Sequence, residues 1–251
     1  MDFENIIVEK KEGIAKIILN RPQVLNALNL QTFSEIQAAL EDIQRDDSVG
    51  VVLITGAGRA FSAGLDIKAI SGLVEEGDVG AEINRMAWRT MEAIESLPKP
   101  VIAMVNGYCL TGALEVVLAC DMIIASENAI FGDTHARWGL RPTWGLSQRL
   151  PRAVGVMKAK ELSFTAETIS AQQAERIGLI NQVAPAQRLE EVAQELAGKM
   201  LSNSRGSLAA YKTLINQGMK ADLATGLKIE AETITIIEDT VDRLKSFGKR
   251  T

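Results

Sequence analysis

The sequence predicts an α/β fold, with a core of short strands and amphipathic helices carrying a helical C-terminal part. Three observations predict it. Residues 49–54 and 101–105 are short, continuous apolar runs that read as buried strands, and helical periodicity fills the stretches around them. A strand–strand–helix grouping recurs along the chain without a strict sequence repeat. From about Leu146 onward the pattern is helical, apart from residues 179–183.

Taken in order, residues 6–8 and 14–19, separated by Lys-Lys-Glu-Gly, read as a β-hairpin. Asn20-Arg21-Pro22 ends the second strand. Leu30, Phe33, Ile36, Leu40 and Ile43 then recur at helical spacing. The strand at 49–54 leads into TGAGRAFSAGLDI, a loop with three glycines. Residues 73–80 are acidic and Gly-rich and predict a mobile surface loop. Ile83, Met86, Ala87, Met91, Ile94 and Leu97 outline a second helix, stopped by Pro98 and Pro100. The strand at 101–105 ends in the turn signal Asn106-Gly107, and after a short connection Gly112 opens a buried helix. Residues 122–125 and 129–131 are further strand candidates, and GDTHARWGLRPTWG is a long irregular segment. Leu189, Val192, Leu196 and Met200 form one helical stripe. Residues 205–218, 222–239 and 240–247 predict three more helices.

Composition excludes several functions. The 251 residues suffice for one large domain or a domain with a small appendage, and 47% hydrophobic with 24% charged residues is globular. A net charge of −5 without a basic block argues against nucleic acid as a partner. No apolar run approaches the ~18 residues of a membrane span. The acidic start MDFENIIVEK reads as neither signal nor transit peptide. Cys109 and Cys120 lie in apolar context and fit free thiols in a reducing cytoplasm. The single histidine, His135, argues against a His-rich metal site and leaves one imidazole for catalysis.

Familiar catalytic motifs are missing: TGAGRAF is not GxGxxG, and there is no GxxxxGK[ST], HExxH, CxxC or GxSxG. What remains is a pair of loops rich in small residues, 61–67 and 111–115, each following a core strand. Side by side, their backbone amides supply the parts of an oxyanion hole. Glu115, in the first turn of the helix opened by Gly112, adds a carboxylate in a dry setting. Read singly, each loop is only a tight turn, and Glu115 only complements the helix dipole.

The ordered set is more specific. Asn20-Arg21-Pro22 with Asn26-Ala27-Leu28, then GAGRAFSAGLDI, VNGYCLTGALEVVLACD, FGDTHARWGL and SQRLPRAVG, resembles the crotonase (enoyl-CoA hydratase/isomerase) superfamily over nearly the whole chain. The resemblance implies a spiral of ββα units, here residues 1–195, carrying the CoA thioester site. It assigns residues 196–251 to helices that build a trimer, often paired into a hexamer, and help close over CoA. It also implies an acyl-CoA thioester substrate, with no cofactor or metal beyond the CoA that enters with it.

Carried over residue by residue, the oxyanion amides fall on Leu65 and Gly112. The adenine-contacting segment falls on Ala63, Gly64, Leu65, Asp66 and Ile67, and Lys249 resembles a group that meets the CoA phosphates. Glu115 matches the first of the two glutamates that family hydratases use. The second glutamate's position reads His135, which departs from the pattern and counts against an ordinary isomerase. Imidazole exchanges a proton near neutral pH, its unperturbed pKa being about 6.5. Either Glu115 and His135 divide the work, or Glu115 relays both protons while His135 positions the acyl group. Asp133 is a candidate for orienting the ring. Trp88, Trp138 and Trp144 are candidate walls of an acyl pocket, with core packing the alternative. The expected reaction is reversible hydration of a 2-enoyl-CoA. The alternatives are isomerisation, C–C hydrolysis, decarboxylation or thioester hydrolysis on the same fold, or a catalytically silent acyl-CoA-binding protein.

Overall fold

Residues 3–68 and 80–247 are described by a computed structural model. The chain opens with an antiparallel hairpin, β1 (Ile6–Lys11) and β2 (Ile14–Leu19). Helix α1 (Leu30–Arg45) follows, capped by Asn29, whose side chain accepts the Thr32 N–H at 2.8 Å. Buried Glu35 on α1 accepts the N–H groups of Glu4, Asn5 and Ile6, which ties the start of the chain to the helix.

Three successive units then run strand, strand, helix. They are β3 (Val51–Gly56), β4 (Ala60–Ser62) and α2 (Ala81–Ser96); β5 (Val101–Val105), β6 (Tyr108–Leu110) and α3 (Gly112–Val117); and β7 (Met122–Ser126), β8 (Ile130–Gly132) and α4 (Leu146–Val154). The first strand of each unit joins a six-stranded sheet of order β1-β2-β3-β5-β7-β10, and the second joins a four-stranded sheet of order β4-β6-β8-β9. Within each sheet the strands of successive units pair in parallel, so the chain winds as a spiral. The corner between β5 and β6 explains Asn106-Gly107. A Cβ on Gly107 would lie 2.1 Å from the Arg59 carbonyl oxygen, so only glycine permits the two corners to stack.

The remaining elements are α5 (Val156–Thr165), β9 (Thr168–Ser170), α6 (Ala171–Arg176), β10 (Gln182–Ala184), α7 (Leu189–Leu201), α8 (Arg205–Gly218), α9 (Leu223–Glu232) and α10 (Thr240–Phe247). Helix α7 covers one face of the large sheet: Leu189, Ala193 and Ala197 pack on Val51, Leu53, Ile102, Met104 and Ile124. The alternate residues Val52, Ile54, Val101, Ala103 and Val105 join α1 and α2 on the other face. Both faces are therefore buried, which is why these strands are continuous apolar runs rather than alternating ones.

The structure departs from the sequence reading in several places. Strands β4, β6 and β9 have three residues each and lie in stretches read as loop or helix. The helix expected over residues 222–239 ends at Glu232. There Thr233, Ile234, Thr235, Ile236 and Ile237 form a β-branched run that loses side-chain freedom in a helix. The boundary expected at 195/196 falls inside α7, whose burial on the sheet makes it part of the core. The expected mobile loop at 73–80 lies outside the described residues except for Gly80.

Candidate active site

Helix α3 begins where β6 ends, and every residue of it is buried. The residue before it, Thr111, has φ 55° and ψ −110°, a strained conformation for a residue with a Cβ. Three bonds hold it there. Its N–H donates to the Gly132 carbonyl at 2.8 Å, its hydroxyl pairs with that of Thr134 at 2.5 Å, and the same hydroxyl accepts the Thr134 N–H at 3.4 Å. The strain thus directs the start of α3 and links it to the segment carrying His135.

The second loop meets α3 backbone to backbone. A Cβ on Gly64 would lie 2.7 Å from the Leu110 carbonyl oxygen and 2.9 Å from the Gly112 nitrogen. This loop is pinned from its other side. Leu28 donates to the Gly64 carbonyl at 2.8 Å and accepts from the Asp66 N–H at 2.9 Å. Ala63 donates to the Leu25 carbonyl at 2.9 Å, and Arg21 reaches the Asp66 carboxylate at 2.9 Å. These bonds use the neighbours of Leu65. Among the described residues, neither the Leu65 nor the Gly112 N–H donates to another protein group.

Trp144 forms the wall over Gly112. A Cβ on Gly112 would come within 2.3 Å of its ring. The indole packs edge-on against Phe33 at 5.1 Å between centroids, and its Nε1 donates to the Asn84 side chain at 2.8 Å. The backbone of the same segment holds Glu115, whose Oε1 accepts the N–H of Trp144 at 2.8 Å and that of Leu146 at 3.0 Å. Glu115 is 1% exposed. Burial pushes its carboxyl above the ordinary glutamate range, against the opposing pull of these N–H groups and of His135.

Glu115 Oε2 lies 3.8 Å from His135 Nε2, too far for a direct hydrogen bond. The other ring nitrogen, Nδ1, sits 2.7 Å from Asp133 Oδ1, which also accepts the His135 N–H at 3.2 Å. Burial would raise the Asp133 carboxyl, but hydrogen bonds from His135 and Ser163 outweigh it and hold the group below the usual range. Asp133, His135 and the Leu146 segment line a cavity of about 460 Å³ whose other walls include Leu140, Leu150 and Phe164. A larger cavity of about 730 Å³ lies behind α3, against Trp88, Cys120 and Arg149, and contains neither Glu115 nor His135.

The structure therefore brings Leu65, Gly112, Glu115, His135 and Asp133 together. It sorts the tryptophans: Trp144 walls the site, Trp138 is 62% exposed and absent from the cavity beside His135, and Trp88 faces the larger cavity. Ile67 is half exposed at the end of the loop, and Lys249 lies outside the described residues. The anchors of Glu115 escaped the sequence reading because both are backbone N–H groups, which any residue except proline supplies.

A model of the enoyl-CoA hydratase/isomerase family matches residues 9–248. The chain is 39% identical over 252 residues to the short-chain-enoyl-CoA hydratase of Clostridium acetobutylicum, covering 98% of this chain and 95% of that protein. It is 39% identical over 246 residues to the crotonyl-CoA hydratase of Syntrophomonas wolfei, covering 97% and 93%. The crystal structure of an enoyl-CoA hydratase from Bacillus anthracis matches with a TM-score of 0.92 at 39% identity, covering 98% of this chain and 97% of that one.

Proposed function

The chain belongs to the enoyl-CoA hydratase/isomerase family, and from that premise we propose that it adds water reversibly across the C2=C3 bond of a 2-enoyl-CoA thioester. The observation that carries this reading is the pair Glu115 and His135. A buried carboxylate fixed through Oε1 presents Oε2 to an imidazole nitrogen 3.8 Å away. One proton acceptor and one proton donor beside a common space are what hydration requires.

In this reading the thioester oxygen accepts the N–H groups of Leu65 and Gly112. Glu115 takes a proton from water as its oxygen bonds to C3, and the electron pair of the double bond moves through C2 onto the thioester oxygen. Fixed amides meet that charge with little reorganisation, and one such donor contributes roughly 3–4 kcal/mol. His135, as imidazolium, then protonates C2. A water bridging the 3.8 Å gap carries the proton from Glu115 back to His135 Nε2, so the net change is the addition of one water. In this reading Ala63, Gly64, Asp66 and Ile67 border the CoA side. CoA enters with the substrate, and the reading assigns no other cofactor. The same amides would serve isomerisation, C–C hydrolysis, decarboxylation or thioester hydrolysis. The acceptor–donor pair and the hydratase relatives favour hydration.

Incubation with crotonyl-CoA tests the assignment, the expected product being heavier by one water. Glu115→Gln keeps an oxygen for the two backbone N–H groups but cannot take a proton, and turnover should fall by about 10²–10⁴. An unchanged mass with a shifted double bond, or wild-type turnover by the variant, would overturn the proposal.

A further inference from the structure

We infer that Asp133 is a positioning residue that fixes His135 as its Nδ1–H tautomer and aims Nε2 at the space beside Glu115. The inference rests on the hydration reading for its catalytic consequence, but its structural content stands on the geometry alone.

An ionised carboxylate accepts hydrogen bonds and donates none. Asp133 Oδ1 is 2.7 Å from His135 Nδ1 and 3.2 Å from the His135 backbone nitrogen, and the Ser163 hydroxyl adds a further bond to the same carboxylate. With the backbone N–H and the hydroxyl both donating, Nδ1 must also carry its proton. The ring's other nitrogen is then left to accept or release one. Asp133 is 2% exposed and His135 8%, so solvent does not compete strongly for this contact. The backbone bond from residue 135 back to Asp133 closes a short loop that holds the carboxylate where it meets Nδ1.

The consequence is a division between the two nitrogens. Nδ1 is committed to Asp133, and only Nε2 exchanges a proton with substrate or with Glu115. A histidine without this partner divides itself between two tautomers, one of which places N–H where the returning proton must arrive. Aspartate-held imidazoles in other enzymes show the size of the effect: replacing such an aspartate by asparagine can leave the geometry intact and lower turnover about 10⁴-fold through the wrong tautomer.

Among the described residues, four titratable groups face His135 or line its cavity. Glu115 faces it from α3 and Asp133 from the end of β8, while Arg141 and Lys160 line the same cavity from the connecting segment and from α5. Of these, only Asp133 contacts Nδ1. Removing its charge frees the ring to take the other tautomer, so the loss should appear in kcat more than in KM.

His135 is the only histidine in the chain, so its ring can be read by NMR without assignment. Ring-¹⁵N spectra of the wild-type protein, recorded where the imidazole is neutral, should show the proton on Nδ1. In Asp133→Asn the amide can donate to Nδ1, and the proton should move wholly or partly to Nε2. The variant should lose at least about tenfold in kcat, with a smaller change in KM. A wild-type ring protonated on Nε2 overturns the inference without recourse to any variant. So does an Asp133→Asn enzyme with unchanged kcat. If the wild-type ring carries its proton on Nδ1 but no enoyl-CoA is hydrated, the hydration reading fails and the tautomer assignment stands.

Discussion

At Gly112 a single hydrogen decides whether the site can form, because the space a Cβ would need is already filled by Trp144, 2.3 Å away. Gly112→Ala forces apart the helix start and the segment whose backbone holds Glu115. It should cost about 1–3 kcal/mol in urea unfolding and about 10²–10³ in kcat through the displaced amide. Leu65→Ala is the contrasting case: the N–H is retained, so crotonyl-CoA hydration should stay within about tenfold of wild type, a loss near that at Gly112 counting against the backbone role. Glu115 gives a prediction for stability. Its folded-state carboxyl is raised, so between the unfolded and folded values the native state binds more protons, and stability falls as pH rises through that window. Glu115→Gln removes this penalty. It should melt higher than wild type at neutral pH, and the difference should shrink as the pH drops below the ordinary glutamate range. Equal melting temperatures at both pH values would show that burial of the charge costs nothing. At this scale the grouping of Glu115, His135, Gly112 and Leu65 was legible from side-chain chemistry and motif order, while their roles rest on the proposed reaction. Nothing in the letters of Trp144 or Leu146 indicates that their amides would hold the carboxylate.

At the scale of elements, the two loops are held in register by a third segment. Asn26, 1% exposed, donates from its side chain to the carbonyls of Ala57 and Ala60 at 2.9 and 2.8 Å and accepts the Arg21 N–H at 2.9 Å. It does so with φ 55°, in the left-handed region that asparagine tolerates better than most residues. The Asn-Arg-Pro and Asn-Ala-Leu stretches, which in sequence carry only a resemblance, are thus a clamp between the hairpin and the strand leading to Leu65. Asn26→Ala strands buried carbonyl and amide groups without partners and should lower unfolding free energy by about 2–4 kcal/mol. A loss below about 0.5 kcal/mol, the range of ordinary surface substitutions, would show that the clamp is dispensable. The long helices and the doubly buried strands were legible from periodicity and apolar runs. Strands β4, β6 and β9 were not, because three residues are too few to show a period and their pairing is decided by distant partners. The Ile/Thr run at residues 233–237 was readable as a helix breaker, but the apolar spacing around it reads equally as a helical stripe.

The whole molecule presents an apolar surface that a single chain leaves uncovered. Tyr211, Ile215, Leu223, Leu227, Leu244 and Phe247 on α8, α9 and α10 are all more than half exposed, and Ile234 and Ile236 between α9 and α10 are 93% and 86% exposed. Scattered apolar side chains are ordinary on a protein surface, but so many on successive elements favour a contact surface over chance exposure. The self-association that the family resemblance implies, as a trimer or a pair of trimers, is our proposal for what covers it. Its energetic logic is separable from the site: the residues around Glu115 are buried within one chain, whereas the side chains of Ile234 and Ile236 belong to no core. Light scattering should therefore give three or six times the 27.2 kDa chain mass. The double variant Ile234→Asp/Ile236→Asp should shift that mass downward at micromolar concentration while far-UV circular dichroism stays unchanged. A wild-type chain that runs as a monomer at high concentration removes the proposal. A variant that loses both its mass and its folded signal would instead show that these helices need their neighbours in order to fold, which makes association part of the fold rather than an addition to it.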